Sequence, residues 1–167
     1  MELYLLRHGI AVMRDDLDFK NDAKRPLTSK GKRQLRQTAA AMKTMGLHFD
    51  LILSSPYLRA KQTAEVIAES LKLKKEFRFS DALAPDGSPK DLVRELNERK
   101  PAPENVLLVG HEPYLSSLIS LLTTGGEALA LDFKKGGLCK LETEKLSYNR
   151  CATLVWLLTP KQMKLMY

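Results

Sequence analysis

Cysteine is scarce in this chain. Two residues of 167, Cys139 and Cys151, stand apart, with neither metal-ligand spacing nor a Cys-x-x-Cys arrangement, and they read as small buried hydrophobes without a function of their own. Long apolar runs are missing as well: the longest, around Leu118 to Leu122, falls far short of the roughly 18 residues a membrane span requires. No membrane partner is expected. No repeat of about 20 to 50 residues recurs. The opening Met1-Glu2-Leu3-Tyr4 carries no basic segment, and Arg7-His8 ends its apolar run early, so it does not read as a secretory signal and the cytoplasm is the default expectation. Aromatic residues make up only 7% and do not interleave with the basic stretch, which gives little support to nucleic-acid binding.

What is present is a chain with 44% hydrophobic and 28% charged residues, of a length usual for one compact domain, and no linker divides residues 1–167. The net charge of +7 sits in one place. Between Lys20 and Lys43 there are eight Lys or Arg against the one acid Asp22, while the other 19 basic and 19 acidic residues balance. Such a stretch is either a solvated helix face or an electrostatic attractor for an acidic or phosphorylated partner.

The apolar pattern alternates between short runs and helical stripes. Leu3 to Leu6 reads as a buried strand ending in Arg7-His8-Gly9. From Arg14 to Pro26 the chain is charged and aperiodic; Thr28 then offers an N-cap to a helix whose Leu35, Ala39 and Met42 share a face before Gly46. Leu51-Ile52-Leu53 predicts a second strand. Ser55-Pro56 predicts an N-cap and first position for a helix carrying Ala60, Ala64, Ile67, Ala68 and Leu71. Phe77 and Phe79 suggest a third strand, with a turn-rich stretch from Ala84 to Pro89 and a helix bearing Leu92, Val93 and Leu96. Asn105 to Val109 is a fourth strand, followed by a helix with Leu115, Leu118, Ile119 and Leu122 that Gly125-Gly126 ends. Leu138 to Thr143 and Ala152 to Leu158 read as two final strands joined through Ser147 to Arg150. The expected fold is a three-layer α/β sandwich, with a mostly parallel central sheet, helices on both faces and an antiparallel edge.

In such a sheet, ligands sit beyond the carboxyl ends of the strands. Arg7 and His8 follow strand one, Arg59 lies in the first turn after strand two, Asp86 follows strand three, and His111 with Glu112 follows strand four. Two arginines and two histidines thereby meet at one rim and describe an anion pocket, because the guanidinium fork matches phosphate oxygens and keeps its charge. His8 has a nucleophile's chemistry, since a neutral imidazole attacks phosphorus and leaves again. His48 precedes strand two and belongs to the opposite rim. Trp156 and the methionines read as packing residues.

Three stretches carry a resemblance. Leu6-Arg7-His8-Gly9, Ser54 through Ala64 (SSPYLRAKQTA) and Val109-Gly110-His111-Glu112-Pro113 resemble, in order and spacing, the motifs of the histidine phosphatase superfamily in its phosphoglycerate-mutase-like branch. The small size, Arg25-Pro26-Leu27-Thr28 and the lack of a lid insertion are similar to the short bacterial phosphohistidine phosphatases. The resemblance implies a hydrolase without metal or other cofactor, in which His8 is the nucleophile, Arg7, Arg59 and His111 bind the phosphoryl group, and Arg25 is a further phosphate contact or part of the basic stretch. It implies a phosphorylated signalling protein as partner, for instance a histidine phosphotransfer domain.

The sequence departs from the mutase-like pattern at the proton donor. Those members place a glutamate after the third strand, where this chain has only Asp81 and Asp86; another branch places its acid directly after the second histidine, where Glu112 stands. Glu112 ranks above Asp86, with helix capping as its alternative role. A weakly defined acid suits P–N cleavage, because an imidazole leaving group already carries its proton near neutral pH while an alkoxide needs one. The competing readings are a small-molecule phosphomonoesterase or mutase on the same scaffold, and a non-catalytic phosphoprotein-binding module. A metal hydrolase built on His8 and His111 is disfavoured by the flanking arginines.

Overall fold

The computed structural model describes residues 1–13, 20–73 and 77–167. Of the charged stretch predicted from Arg14 to Pro26, residues 14–19 lie outside the described residues. The elements follow in the order β1 (Glu2–Arg7), α1 (Ser29–Thr44), β2 (Leu51–Ser54), α2 (Leu58–Ser70), β3 (Phe77–Phe79), α3 (Pro89–Glu98), β4 (Asn105–Gly110), α4 (Tyr114–Thr124), β5 (Leu138–Glu142), β6 (Thr153–Leu158) and α5 (Pro160–Met163), with 3-10 turns at Asp22–Lys24 and Asp81–Leu83.

One six-stranded sheet runs in the order β3-β2-β4-β1-β5-β6. The first four are parallel to one another, and β5 and β6 are antiparallel additions. Successive side chains of a strand point to opposite faces, so a strand buried on both faces must be apolar throughout. Accordingly Leu3 and Leu5 pack with Leu51, Leu53, Val106 and Leu108 under α3 and α4. Tyr4 and Leu6 pack with Ile52, Leu107 and Val109 under α1, α2 and Met163 of α5. The chain steps outward from β1 to β3 with its helices on one face and returns through α3 on the other, as a constant crossover hand requires. These are the three layers and the antiparallel edge read from the sequence.

Fully burying a Leu or Ile is worth about 1.5–3 kcal/mol. A one-residue slip of β1 against β4 would exchange Leu3 and Leu5 with Tyr4 and Leu6 between two differently packed faces, so the register is strongly specified. Among the described residues, no helix is long and apolar enough to cross a membrane.

After β1 the chain is held by the start of α1. Thr28 caps the helix by accepting from Gly31 N–H (3.0 Å) and donates through its own backbone N–H to Ile10 O (2.9 Å). Val12 N–H donates to Pro26 O at 3.0 Å, and Ala11 bridges Leu27. Gly31 is required by proximity: a β-carbon there would stand 2.2 Å from the Ile10 carbonyl oxygen. Alanine is the better helix former by about 1 kcal/mol, but the clash is with backbone. Gly31→Ala is therefore expected to lower stability, by about 1–3 kcal/mol, read as a shift of the denaturant midpoint; an unchanged or raised midpoint would contradict the close contact.

Candidate active site

The β1–β4 register pairs Arg7 with Gly110, so the residues leaving the two strands, His8 and His111, emerge side by side. Their ring centroids lie 5.2 Å apart, and His8 N–H donates to Gly110 O at 3.0 Å. On the other flank of β4, Ser54 pairs with Val109, and Ser55 follows with its Oγ 2.8 Å from His111 Nε2. The sequence expectation for Ser55 needs correction here. Helix α2 begins at Leu58 with Tyr57 in the capping position and no side-chain cap, because the Ser55 hydroxyl is engaged by His111 and by Tyr57 N–H (3.3 Å). The later start places Arg59 at the second helical position, buried to 2% exposure.

The hydrogen bonds assign His8 its tautomer. Nδ1 lies 2.7 Å from Gly9 O, which can only accept, so Nδ1 carries the proton. Nε2 keeps its lone pair and receives Arg59 Nε–H at 3.3 Å. Burial, with His111, Arg59 and Arg7 nearby, pushes the His8 pKa down to about 3 against the Gly9 hydrogen bond, which works upward. His111 is likewise pushed to about 3, by burial first and then by Arg59 and the other arginines, with Asp22 opposing. Both rings are neutral at neutral pH. Ser55 Oγ accepts from Tyr57 N–H and still has its own proton to donate to His111 Nε2; in that arrangement His111 Nδ1 carries the ring proton and is a donor. Among the described residues that Nδ1 has no hydrogen-bond partner, and neither has the buried Nε of Arg7. Buried donors without partners are rare, and at a cavity wall they mark where an acceptor fits.

Among the described residues, the carboxylate of Asp22 pairs with two of these cations. Asp22, in the 3-10 turn, accepts from Arg59 Nη2 (3.0 Å) and Arg25 Nε (2.9 Å), and its backbone carbonyl accepts from Arg59 Nη1 (2.7 Å). Burial alone would raise its pKa, but Arg25 and Arg59 outweigh that and hold the carboxyl below its usual range. Arg25 also donates to Val12 O (2.6 Å), and Arg7 Nη1 to Phe133 O (2.6 Å).

These side chains line a cavity of about 300 Å³ together with Ala11, Val12, Met13, Pro85, Glu112 and Lys135. All six expected site residues, Arg7, His8, Arg25, Arg59, His111 and Glu112, thus meet in one place. Glu112 lines the cavity, and its carboxylate also caps α4, the alternative role weighed for it, by accepting from Ser116 N–H (3.0 Å) and the Ser116 hydroxyl. Asp86 does not join them. It lines a separate cavity with Asp81, Asp91 and Glu95, because the loop after β3 turns Pro85 toward the histidines and Asp86 away. His48 lies beside Asn105 (3.3 Å) at the start of β4, the opposite rim. Asp22 and Lys135 were missed by the sequence reasoning. Asp22, the one acid in the basic stretch, was a visible signal; Lys135, far along the chain, carried none. Among the described residues, no group of three His, Cys, Asp or Glu side chains is placed to hold a metal ion.

The chain is similar in sequence and in fold to known proteins. A family model described as histidine phosphatase superfamily (branch 1) matches residues 3–84. An uncharacterised protein of Picosynechococcus is 39% identical over 144 residues, 86% of each chain. Phosphohistidine phosphatase SixA of Escherichia coli is 30% identical over 128 residues, 75% of this chain and 76% of that protein. The structure of protein histidine phosphatase SixA complexed with tungstate superimposes with a TM-score of 0.80 at 28% identity, over 96% of this chain and 98% of that one.

The depressed histidine pKa values have a measurable sign. Both fall from 6.5 to about 3 on folding, so the unfolded chain takes up protons first. Their contribution to stability is complete above pH 6.5 and drains as the pH falls toward 3, at up to about 1.4 kcal/mol per pH unit for each ring. His8→Gln and His111→Gln should each flatten that dependence in pH-resolved unfolding. Ring NMR signals of His8 and His111 should stay at their neutral positions well below pH 6.5; a midpoint near that value would contradict the burial argument.

Proposed function

This chain belongs to the histidine phosphatase superfamily and is a phosphatase, and on that premise we propose that it hydrolyses phosphohistidine on a signalling protein through a covalent intermediate on His8. The observation that carries the reading is the state of His8: a neutral ring, its Nδ1–H held by Gly9 O, its Nε2 lone pair at the wall of a cavity lined by Arg7, Arg59 and His111. A tetrahedral oxyanion, tungstate, is bound by the structurally similar SixA.

In the proposed first step the Arg59 Nε–H that His8 Nε2 accepts in the free site turns to a phosphoryl oxygen, and the released lone pair attacks phosphorus. The P–N bond to His8 forms as the substrate's P–N bond breaks, and the substrate imidazole leaves neutral with the proton on its other nitrogen. Arg7, Arg59 and His111 Nδ1–H stabilise the charge on the transferring oxygens. Arg25 supports them as a further phosphate contact. Water then attacks phosphorus, and His8 leaves by the same logic, its Nδ1–H retained on the Gly9 carbonyl. The water's two protons stay with the released phosphate or pass to solvent. Glu112 is the group proposed to supply a proton where a leaving group needs one; its commitment to Ser116 suits a reaction that seldom asks for it. The substrate proposed is a protein because the cavity has an accessible rim, with Met13 at 71% exposure, and a phosphotransfer domain would present such a side chain.

Intact mass measured under alkaline quench, after mixing with phosphoramidate in EDTA, should show a transient phosphoryl adduct and turnover for the wild type and neither for His8→Ala. Loss of activity in EDTA would overturn the metal-free chemistry. Arg59→Ala should lower kcat/KM by about 10²–10³-fold. Phosphoramidate should be turned over faster than an alkyl phosphate; the reverse order would reject the P–N assignment.

A further inference from the structure

Of the eight cations between Lys20 and Lys43, Lys20 and Lys24 precede α1 and the other six divide between the cavity and the helix. Arg25 belongs to the cavity. Helix α1 carries Lys30, Lys32, Arg33, Arg36 and Lys43 and no acid; Lys30, Arg33, Arg36 and Lys43 are exposed. None of the five shares an ion pair with another described residue, whereas cations elsewhere do: Lys61 with Glu65, Arg94 with Asp91, Arg99 with Glu95, and Lys140 with Glu2 and Glu142.

This arrangement works against the helix that bears it. The first turn of α1 holds Lys30 and no acidic residue, at the end where the aligned peptide dipoles already place positive potential. Lys30 and Arg33, then Arg33 and Arg36, are like charges three residues apart, and Lys32 and Arg36 four apart, spacings at which they face each other and repel. Folding does not benefit from such a pattern, whereas a polyanionic surface laid over it would relieve the repulsion.

The position of α1 connects that surface to the site. Its start is bonded to Ile10, next to Ala11 and Val12 of the cavity wall. Further along, Gln34 lies against Gly136, and Thr38 donates to the Gly136 carbonyl at 3.4 Å; the neighbouring Lys135 lines the cavity. The first half of α1 is therefore held to two segments of the rim through Gly31, Gln34 and Thr38, while Lys30, Arg33 and Arg36 stand on its exposed side and Lys135 lines the cavity.

We propose that the exposed face of α1, through Lys30, Arg33 and Arg36, docks an acidic protein surface bordering the phosphorylated side chain, and so selects substrates by the carboxylates around their phosphorylation site. The proposal rests on the phosphatase reading above and deepens it. A protein is favoured over nucleic acid because α1 carries no aromatic side chain on which a base stacks.

The test compares two peptides, each with a central phosphohistidine, flanked by glutamates or by glutamines, with phosphoramidate as the small substrate, for wild type and Lys30→Glu/Arg33→Glu/Arg36→Glu. The glutamate peptide should have a kcat/KM about tenfold or more above the glutamine peptide at low salt. The triple variant, and high salt with the wild type, should erase that advantage while phosphoramidate turnover is unchanged. Equal turnover of the two peptides by the wild type, or an advantage that survives the triple variant, overturns the docking surface. Fluorescence anisotropy with the unphosphorylated glutamate peptide makes the result independent of catalysis. Binding that the triple variant loses supports the surface even if phosphohistidine is not the substrate, and failure to turn over phosphoramidate bears on the phosphatase reading alone. Tighter binding of an oligouridine RNA of matched charge would assign the face to nucleic acid and overturn the proposal. Lys30→Gln/Arg33→Gln/Arg36→Gln, which removes charge without reversing it, should give an intermediate loss.

Discussion

The parallel pairing of β1 with β4 is the constraint on which the rest of the site depends. It sets Arg7 opposite Gly110, so the next residue of each strand is a histidine and the two rings leave the sheet as neighbours. Leu3 to Leu6 and Val106 to Val109 hold that alignment because each is buried on one of two differently packed faces. Only with the register fixed does β2, on the other side of β4, deliver Ser55 to His111 and Arg59 to His8. Two chain segments nearly a hundred residues apart are aligned by hydrophobic packing, and polar chemistry is built on their ends.

Burial and charge act together at this rim. Removing His8 and His111 from water keeps both rings neutral, and the surrounding arginines push in the same direction. The arginines themselves need a counterion, and Asp22 serves two of them with one carboxylate and one carbonyl. The result is a pocket whose donors are already oriented, with Arg7 Nε and His111 Nδ1 held for an acceptor. Preorganised donors of this kind need no reorganisation as charge develops on transferring oxygens. In the proposed reaction the acid side is much less prepared, since Glu112 spends its carboxylate on the first turn of α4. That asymmetry suits a leaving group that brings its own proton.

The strand and helix pattern was largely legible because its signals are local: apolar strand runs buried on both faces, Thr28 as the N-cap of α1, Gly125 in the left-handed conformation after α4. The start of α2 was misread for a physical reason. Ser55-Pro56 has the local form of a capped helix, but the serine hydroxyl is shared between Tyr57 N–H and a histidine 56 residues away, and the helix starts only at Leu58. Asp86 failed in a similar way: its place after β3 was right, yet the direction of its side chain is set by how the loop packs Pro85 against the site. The short helix α5, with its Thr159 capping box, was missed because four residues carry too little periodicity to register.

By itself the sequence determined the three-layer architecture and the rim at which Arg7, His8, Arg59 and His111 collect. Apolar periodicity dictates which face is buried, and strand ends dictate where ligands sit. Only the tertiary structure decided the tautomer of His8, the clamp of Asp22 on two arginines, the bond of Glu112 to Ser116 at the cavity wall and the arrival of Lys135. Each of these depends on atoms brought within hydrogen-bonding or cavity distance from remote parts of the chain, and no periodicity or spacing in the sequence encodes a distance across the sheet.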